Sequence, residues 1–464
     1  MDRGRRGRQR RARPAPTSPP NNTGAEDGPR ASTNDWWILD IGSSVQGFRC
    51  FPNMAVNFFL KDGLRVSPST AQILQNSTNL PMIGKPIYGV LSDAIGIRGE
   101  HRLPYIAIGV LLQVISWLSI IFLPPSCITK ITLTMFLLLG NVGASIVDVA
   151  HDAIAAEVGR HTNSTGKIQA MVLSFSSVTG ILGNLLGGVA LSKTSTSSMF
   201  SIFAVILTVQ FLVIISISEN SLSLPARMNS LSSSVRIRQQ FSQLWNAICI
   251  PEVASSIGWL AISFSLVPVL FGTMFYYQTS HLKLDSSVIA MSKVLGQIYL
   301  LIWSLTYEKW LKKIPPRKLF MYLQGSVVTL MLCDFAFVQG FFRCLGIPDP
   351  VYVILLSGLI EVMTLQFKNI PFNVLFSRLC PVGCEGSLVA FVMSITAMTT
   401  MISSYLGVAL AKWAVVSGDE FSGISLAITV QIICAAVPIS IGWWIPDKSD
   451  IKFAKLINDE DYEE

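Results

Sequence analysis

Charged side chains are scarce in this chain: Asp, Glu, Lys and Arg make up 14% of its 464 residues against 51% hydrophobic, and mean hydropathy is +0.52. Soluble domains carry about 25% charge, so the shortage excludes a water-soluble globule of this size and points to an integral membrane protein. Histidine is scarcer still, with four in all. Cys380-x-x-x-Cys384 is the one close cysteine pair, and it lacks the His or carboxylate neighbours that zinc needs, so no metal and no cofactor are expected. The other cysteines lie mostly in apolar runs, where they act as small hydrophobes and predict no disulfide framework. A Gly-x-x-x-x-Gly-Lys-Ser/Thr phosphate loop is missing, which argues against ATP hydrolysis by this chain as a source of work. Missing too is any His and Asp cluster at one membrane face of the kind a polytopic lipid enzyme would use, so no enzyme is expected. The net charge of +7 does not imply a nucleic-acid partner, because the cations sit in a tail and in short loops between apolar runs, the distribution that orients membrane helices.

What is present is a series of long apolar runs. A helix needs about 20 apolar residues to cross a bilayer, and such runs fall near 36–60, 69–93, 103–123, 131–156, 168–191 and 198–218, then near 253–278, 286–306, 318–341, 350–376, 386–411 and 421–445. This predicts an all-α polytopic membrane protein of twelve transmembrane helices in two six-helix bundles, residues 35–218 and 248–445. The Ser-rich stretch 219–247, with Arg227, Arg236 and Arg238, is the expected linker, and 446–464 a C-terminal tail. Residues 1–34 carry seven Arg before position 14 and no apolar periodicity, which predicts a disordered tail. It reads either as an organelle transit peptide or as a basic tail holding the N-terminus in the cytosol. Loops on the tail's side are richer in Lys and Arg than those opposite, so both termini are expected in the cytosol.

A charge at membrane depth costs about 3 kcal/mol, so each one asks for a partner or a task. The fourth run holds Asp148, His151 and Asp152. Spacing of four puts both acids on one helix face, where their mutual repulsion favours holding a proton between them. Arg49 in the first run, between Gln46-Gly47 and Pro52-Asn53, and Lys85-Pro86 in the second are cations at similar depth. Two readings follow: Arg49 and Lys85 bind an organic anion, with Asp148, His151, Asp152 and Glu361 of the tenth run as proton or substrate groups, or the cations simply neutralise the acids. Glu361 has Lys293 as its own candidate partner, and Asp334 reads as structural. The fifth run carries Gly180, Gly183, Gly187 and Gly188, a small-residue face for close helix contact.

Between the second and third runs, Gly89-x-x-x-Asp93-x-x-Gly96-x-Arg98, followed by Arg102, makes a tight basic turn. Gly89 is expected to admit a neighbouring helix, and Asp93 to accept from loop cations. Tyr307 to Lys318 falls at the equivalent place in the second half. This loop resembles the one between the second and third helices of the major facilitator superfamily. Lys85-Pro86, Tyr88-Gly89, Ser92-Asp93 and His101-Arg102-Leu103-Pro104-Tyr105, with Gln46-Gly47, Phe58 to Asp62, and Cys380-Pro381-x-Gly383-x-Glu385, resemble the folate-biopterin transporter family within that superfamily, in its plant-type form.

The resemblance implies a secondary carrier of folate- or pterin-type organic anions, proton-coupled and working by alternating access, with Gly89, Asp93, Gly96, Arg98 and Arg102 as gating loop. It implies a small-molecule substrate, a lipid bilayer and a monomer as partners. The membrane stays open among plasma membrane, vacuole and chloroplast envelope. Arg49, Asn53 and Ile370 depart from the family's usual residues in the expected cavity. That keeps a second possibility in view, a carrier of another small organic solute or a transport-dead receptor.

Overall fold

The computed structural model describes residues 37–97, 100, 102–123, 128–161, 165–217, 238, 242, 244–379, 385–414 and 421–447. The expected tail 1–34, nearly all of the linker 219–247 and of the C-terminal tail 446–464, Arg98, His101 and the Cys380–Cys384 pair lie outside them. Eight helices are long and apolar enough to cross a membrane. Four more spans are broken or short, which brings the described total to twelve. In chain order they are α1 (37–63), α2 (68–94), α3 (Leu103–Phe122), α4 (Lys130–His161), α5 (Thr165–Lys193), α6 (Thr196–Ile215), α7 (251–281), α8 (Ser286–Lys309), α9 (Pro316–Val338), α10 (349–379), α11 (Glu385–Trp413) and α12 (Ile424–Ser440).

The breaks have local causes. In α1 the helix is interrupted at Arg49, between Trp37–Phe48 and Cys50–Phe58, with Pro52 three residues on. This is the irregularity expected there. In α2, Pro81 falls in a tighter turn, Leu80–Gly84, and Pro86 opens the next segment, Lys85–Ala94. Pro268 marks the gap in α7 between Pro251–Ser265 and Phe271–Tyr276. In α10 the helix stops at Leu365 and restarts at Asn369, two residues before Pro371. Proline removes a backbone donor and crowds the preceding turn. Such interruptions at membrane depth persist where other groups take up the freed backbone positions.

The two halves repeat each other in detail. Both α1 and α7 end in a five-residue π turn, Phe59–Gly63 and Tyr277–His281, followed by a residue in the left-handed region, Arg65 at φ 47° and Lys283 at φ 51°. Val66 N donates to Leu60 O at 3.0 Å, and Leu284 N donates to Gln278 O at 3.1 Å, so the same wrap closes both helix ends. Two six-helix units built on one plan are a common ground plan of secondary transporters.

Packing follows from side-chain size. Apolar residues such as Ile131, Val205, Leu186 and Ile302 stay exposed on the outside of the bundles, a surface suited to lipid. Inside the first bundle Trp117 packs on Phe200 and Phe203; inside the second Trp259 packs on Phe320 and Phe372. The glycines of α5 divide their work between two neighbours. A Cβ at Gly183 would meet Cys50 Sγ of α1 at 2.7 Å, and one at Gly188 would meet Ala290 Cβ of α8 at 2.4 Å. This stripe therefore joins the two bundles as well as packing the first. Between α9 and α10, Arg343 Nε donates to Asp349 Oδ1 at 2.7 Å, and this bond raises the Arg343 guanidinium above its ordinary pKa.

Candidate functional site

The break in α1 delivers Arg49 to the middle of the first bundle. Its Nη1 donates to Asp148 Oδ1 of α4 at 3.1 Å, and Lys85 Nζ, at the restart of α2, donates to Asp148 Oδ2 at 3.3 Å. Two cations thus share one carboxylate whose side chain is 6% exposed, while Arg49 and Lys85 keep 20% and 12% open. Arg49 Nε is buried without a hydrogen-bond partner. Asp152, one turn along α4, is partly buried and makes no hydrogen bond or ion pair among the described residues. Of the two readings of this cluster, the geometry gives neutralisation to Asp148 and leaves Asp152 as the acid without a direct partner. His151 points away to a helix contact: a Cβ on Gly42 of α1 would meet His151 Nε2 at 1.9 Å.

In the second bundle Lys293 of α8 and Glu361 of α10 form the ion pair named as a candidate, with side chains 37% and 30% exposed. The helices that carry them approach through Gly296 and Gly358, where a Cβ on Gly358 would meet Ser292 O at 2.0 Å. Lys368, at the gap in α10, is 2% exposed and has no carboxylate partner among the described residues. Its Nζ lies 4.8 Å from the centroid of Phe264 and 5.9 Å from that of Trp259, and donates to Ser263 O at 3.4 Å. Cation and ring faces attract, by about 2 kcal/mol when desolvated. Asp334 accepts from Tyr352 Oη at 2.9 Å, between α9 and α10, in keeping with a structural role.

The bundles are latched at the end opposite the start of α1. Gln72 Nε2 of α2 donates to Val269 O at 2.9 Å in the gap of α7, and to Ser404 O and Oγ of α11 at 3.0 and 2.9 Å. Ser403 Oγ donates to Val267 O, and Tyr276 Oη to Val66 O at 2.7 Å. Carbonyls freed by the break in α7 are therefore taken up by side chains, Val269 O across the latch by Gln72 and Val267 O within the second bundle by Ser403. A Cβ on Gly407 would meet Val269 O at 1.9 Å, so α11 must present glycine there.

Next to Arg49, a cavity of about 270 Å³ opens inside the first bundle, between α1, α2, α3, α4 and α6. Its wall includes Asn53, Gln113, Asn141 and Trp117.

The BT1 family profile matches residues 46–461, nearly the whole of this architecture. The chain belongs to the BT1 family. Among curated relatives, Probable folate-biopterin transporter 7 of Arabidopsis thaliana is 48% identical over 90% of this chain and 94% of its own length. Probable folate-biopterin transporter 9, chloroplastic, of the same plant is 38% identical over 88% and 76%. Among solved structures, a D-xylose-proton symporter superposes with a TM-score of 0.66 at 14% identity, covering 90% of this chain and 98% of that one. That likeness establishes the major facilitator fold, and with the relatives it makes this BT1-family chain a membrane transporter and not an enzyme.

In this BT1-family chain the loop after α2 is built as a cap. Arg102, 4% exposed, donates from Nη1 to Ser92 Oγ at 2.7 Å, and Tyr105 Oη donates to Leu91 O and Ile95 O, each at 3.1 Å. Tyr105 thus covers carbonyls at the end of α2 of the kind a helix end leaves unpaired, while Arg102 ties the loop to the Ser92 hydroxyl. Immediately after Gly96, Ile97 and Glu100 pair backbone to backbone. The Asp93 side chain and Arg98 lie outside the described residues. Gly89 departs from the expectation of close approach: a Cβ there would meet Val149 Cγ1 at 3.5 Å and Ala390 Cβ at 3.8 Å, ordinary contact. The tight crossing lies instead at Gly109 and Gly143, where α3 and α4 meet backbone to backbone.

Proposed function

We propose that this BT1-family transporter carries a folate- or pterin-type organic anion, coupled to protons, by rocking its two bundles so that the cargo site faces one side of the membrane and then the other. The observation that carries the reading is Arg49. It stands at a helix break in mid-bundle beside an open cavity, with Nε unpartnered, in a chain 48% identical to a relative named for folate and biopterin. Arg49 and Lys85 together bring one positive charge more than Asp148 balances, which suits an anionic cargo.

In this reading Asp152 is the proton carrier beside the cluster, Asp148 and His151 hold the helices that position it, and Glu361 exchanges Lys293 for cargo or proton. The loop with Gly89, Asp93, Gly96, Arg98 and Arg102 governs the opposite end from the Gln72 latch. The chain works as a monomer with both termini in the cytosol, as the distribution of Lys and Arg favours. The bundles rock about the 219–247 linker.

The test is uptake of labelled folate and pterin, beside unrelated organic anions, by the purified protein in liposomes with and without a pH gradient. Saturable folate or pterin uptake, raised by an acidic exterior, supports the reading. Saturable uptake of only an unrelated anion, or none at all, overturns it.

A further inference from the structure

Gln297 lies midway along α8 (Ser286–Lys309), at membrane depth, yet its carboxamide makes no hydrogen bond among the described residues, and neither of its polar atoms is sealed away. A carboxamide has two donors and two acceptor lone pairs, and leaving them unpaired in hydrocarbon is costly. Its surroundings show that it does not face lipid. Exposed Met291, Ile302 and Leu305 mark the lipid side of α8, and Gln297 lies about a third of a turn round from them. It rests instead on the first bundle: a Cβ on Gly180 of α5 would meet its Cδ and Oε1 at 3.0 Å. Cys50 Sγ, at the break of α1, donates to Gly180 O at 3.3 Å, so Gln297 of the second bundle stands across the seam from the level at which α1 is interrupted.

The charges on the two sides of that seam differ. One turn back on the same face of α8, Lys293 is held by Glu361, so this side offers a carboxamide beside a pair with no net charge. In the first bundle Arg49 and Lys85 outweigh Asp148 by one positive charge. That cluster borders the second bundle too: Ile83 O, two residues before Lys85, accepts from Ser394 Oγ of α11 at 2.5 Å. An anionic group therefore gains more from the first bundle, where its hydrogen bonds are charge-assisted and the site is net positive. Gln297 suits the neutral end of a cargo. A carboxamide sets a donor beside an acceptor, the complement of a ring lactam, in which N–H stands next to C=O.

We infer that Gln297 is a cargo-reading residue, its carboxamide hydrogen-bonded to the lactam edge of the cargo's ring while the anionic tail points to the Arg49–Lys85 cluster. The cargo then bridges the two bundles at their seam, where rocking exposes it to one side and then the other. This rests on the reading of the cargo as a folate- or pterin-type anion, and adds which end of it each bundle holds.

The experiment is calorimetric binding of three probes to the purified full-length protein: pterin as the ring alone, p-aminobenzoylglutamate as the tail alone, and intact folate. Gln297→Met keeps the length of the side chain and removes its amide; Gln297→Leu serves if that variant does not fold. Pterin and folate are each expected to bind about tenfold more weakly, the loss of one hydrogen-bonded amide, with the tail fragment unchanged. Pterin and folate affinities that match those of the unaltered protein overturn the assignment of Gln297 and leave the cargo reading standing. An equal loss for the tail fragment does the same, because it marks Gln297 as a packing residue. Folate and both fragments failing to bind the unaltered protein overturns both readings.

Discussion

In the first bundle two cations share a single acid that is 6% exposed, whereas in the second Lys293 and Glu361 pair one to one with about a third of each side chain open. Burial separates what these groups are fit to do. A closed cluster cannot trade partners without stranding a charge, so Asp148 serves the shape of the bundle. An open pair can trade, because water or cargo is at hand to replace either partner.

The largest expected effect follows from the closed cluster. Asp148→Ala leaves Arg49 and Lys85 uncompensated and is expected to cost about 3–5 kcal/mol, the usual penalty for breaking a buried pair, read as a lower melting temperature of the detergent-purified protein. Replacing Arg49, Lys85 and Asp148 together by Met, Met and Leu is expected to restore most of that stability while abolishing folate binding. A fully stable Asp148→Ala protein would erase the contrast between the bundles.

Next comes the latch. Gln72→Leu leaves the carbonyls of Val269 and Ser404 short of a donor, and unsatisfied buried groups cost about 1–3 kcal/mol. The latched state alone bears that cost, so the population is expected to shift toward opening at this end. A cysteine placed at the buried Thr273 then reacts faster with a membrane-impermeant maleimide. An unchanged rate would assign these bonds to packing alone.

Glu361→Gln sharpens the comparison from the other side. Both partners are partly open, so stability is expected to move by no more than about 1 kcal/mol, while pH-driven accumulation of cargo falls. Smallest is Arg65→Gly. It relieves a left-handed backbone that costs a residue with a Cβ about 1–2 kcal/mol, most of which is offset by the roughly 0.5–1 kcal/mol of extra backbone entropy that a glycine loses on folding, and a slight rise in melting temperature with unchanged uptake is expected. Lys283→Gly should match it if the two helix ends are as alike in energy as in geometry.

Much of the fold is legible in the sequence because membrane spans advertise themselves by length and apolarity. The interruption at Arg49 was legible too, from Gly47 and Pro52 on either side, and so were the Lys293–Glu361 pair and the close-packing stripe on α5. Legibility ended where partners come from distant runs. Nothing local says that Asp148 takes both cations and leaves Asp152 without a direct partner, and no single run gives a sign that Asn53, Gln75, Gln113 and Asn141 converge on one space. Gly89 draws attention by its motif, yet the glycines with no room for a side chain lie elsewhere, Gly109, Gly143, Gly358 and Gly407 among them. Close approach depends on which helices cross, and α3, α4, α8 and α11 settle that only once assembled. Lys368 lies about two turns from Glu361 in the same run, but its enclosure by Phe264 and Trp259 depends on the gap in α10 facing α7.

One measurement bears on the whole contrast: melting of the purified protein with and without folate, for the unaltered chain, Asp148→Asn and Glu361→Gln. The account predicts that folate raises the melting temperature of the unaltered chain, that Asp148→Asn melts well below it even without ligand, and that Glu361→Gln melts with it but gains much less from folate. The reverse pattern, with Glu361→Gln unstable and Asp148→Asn stable but indifferent to folate, would contradict it.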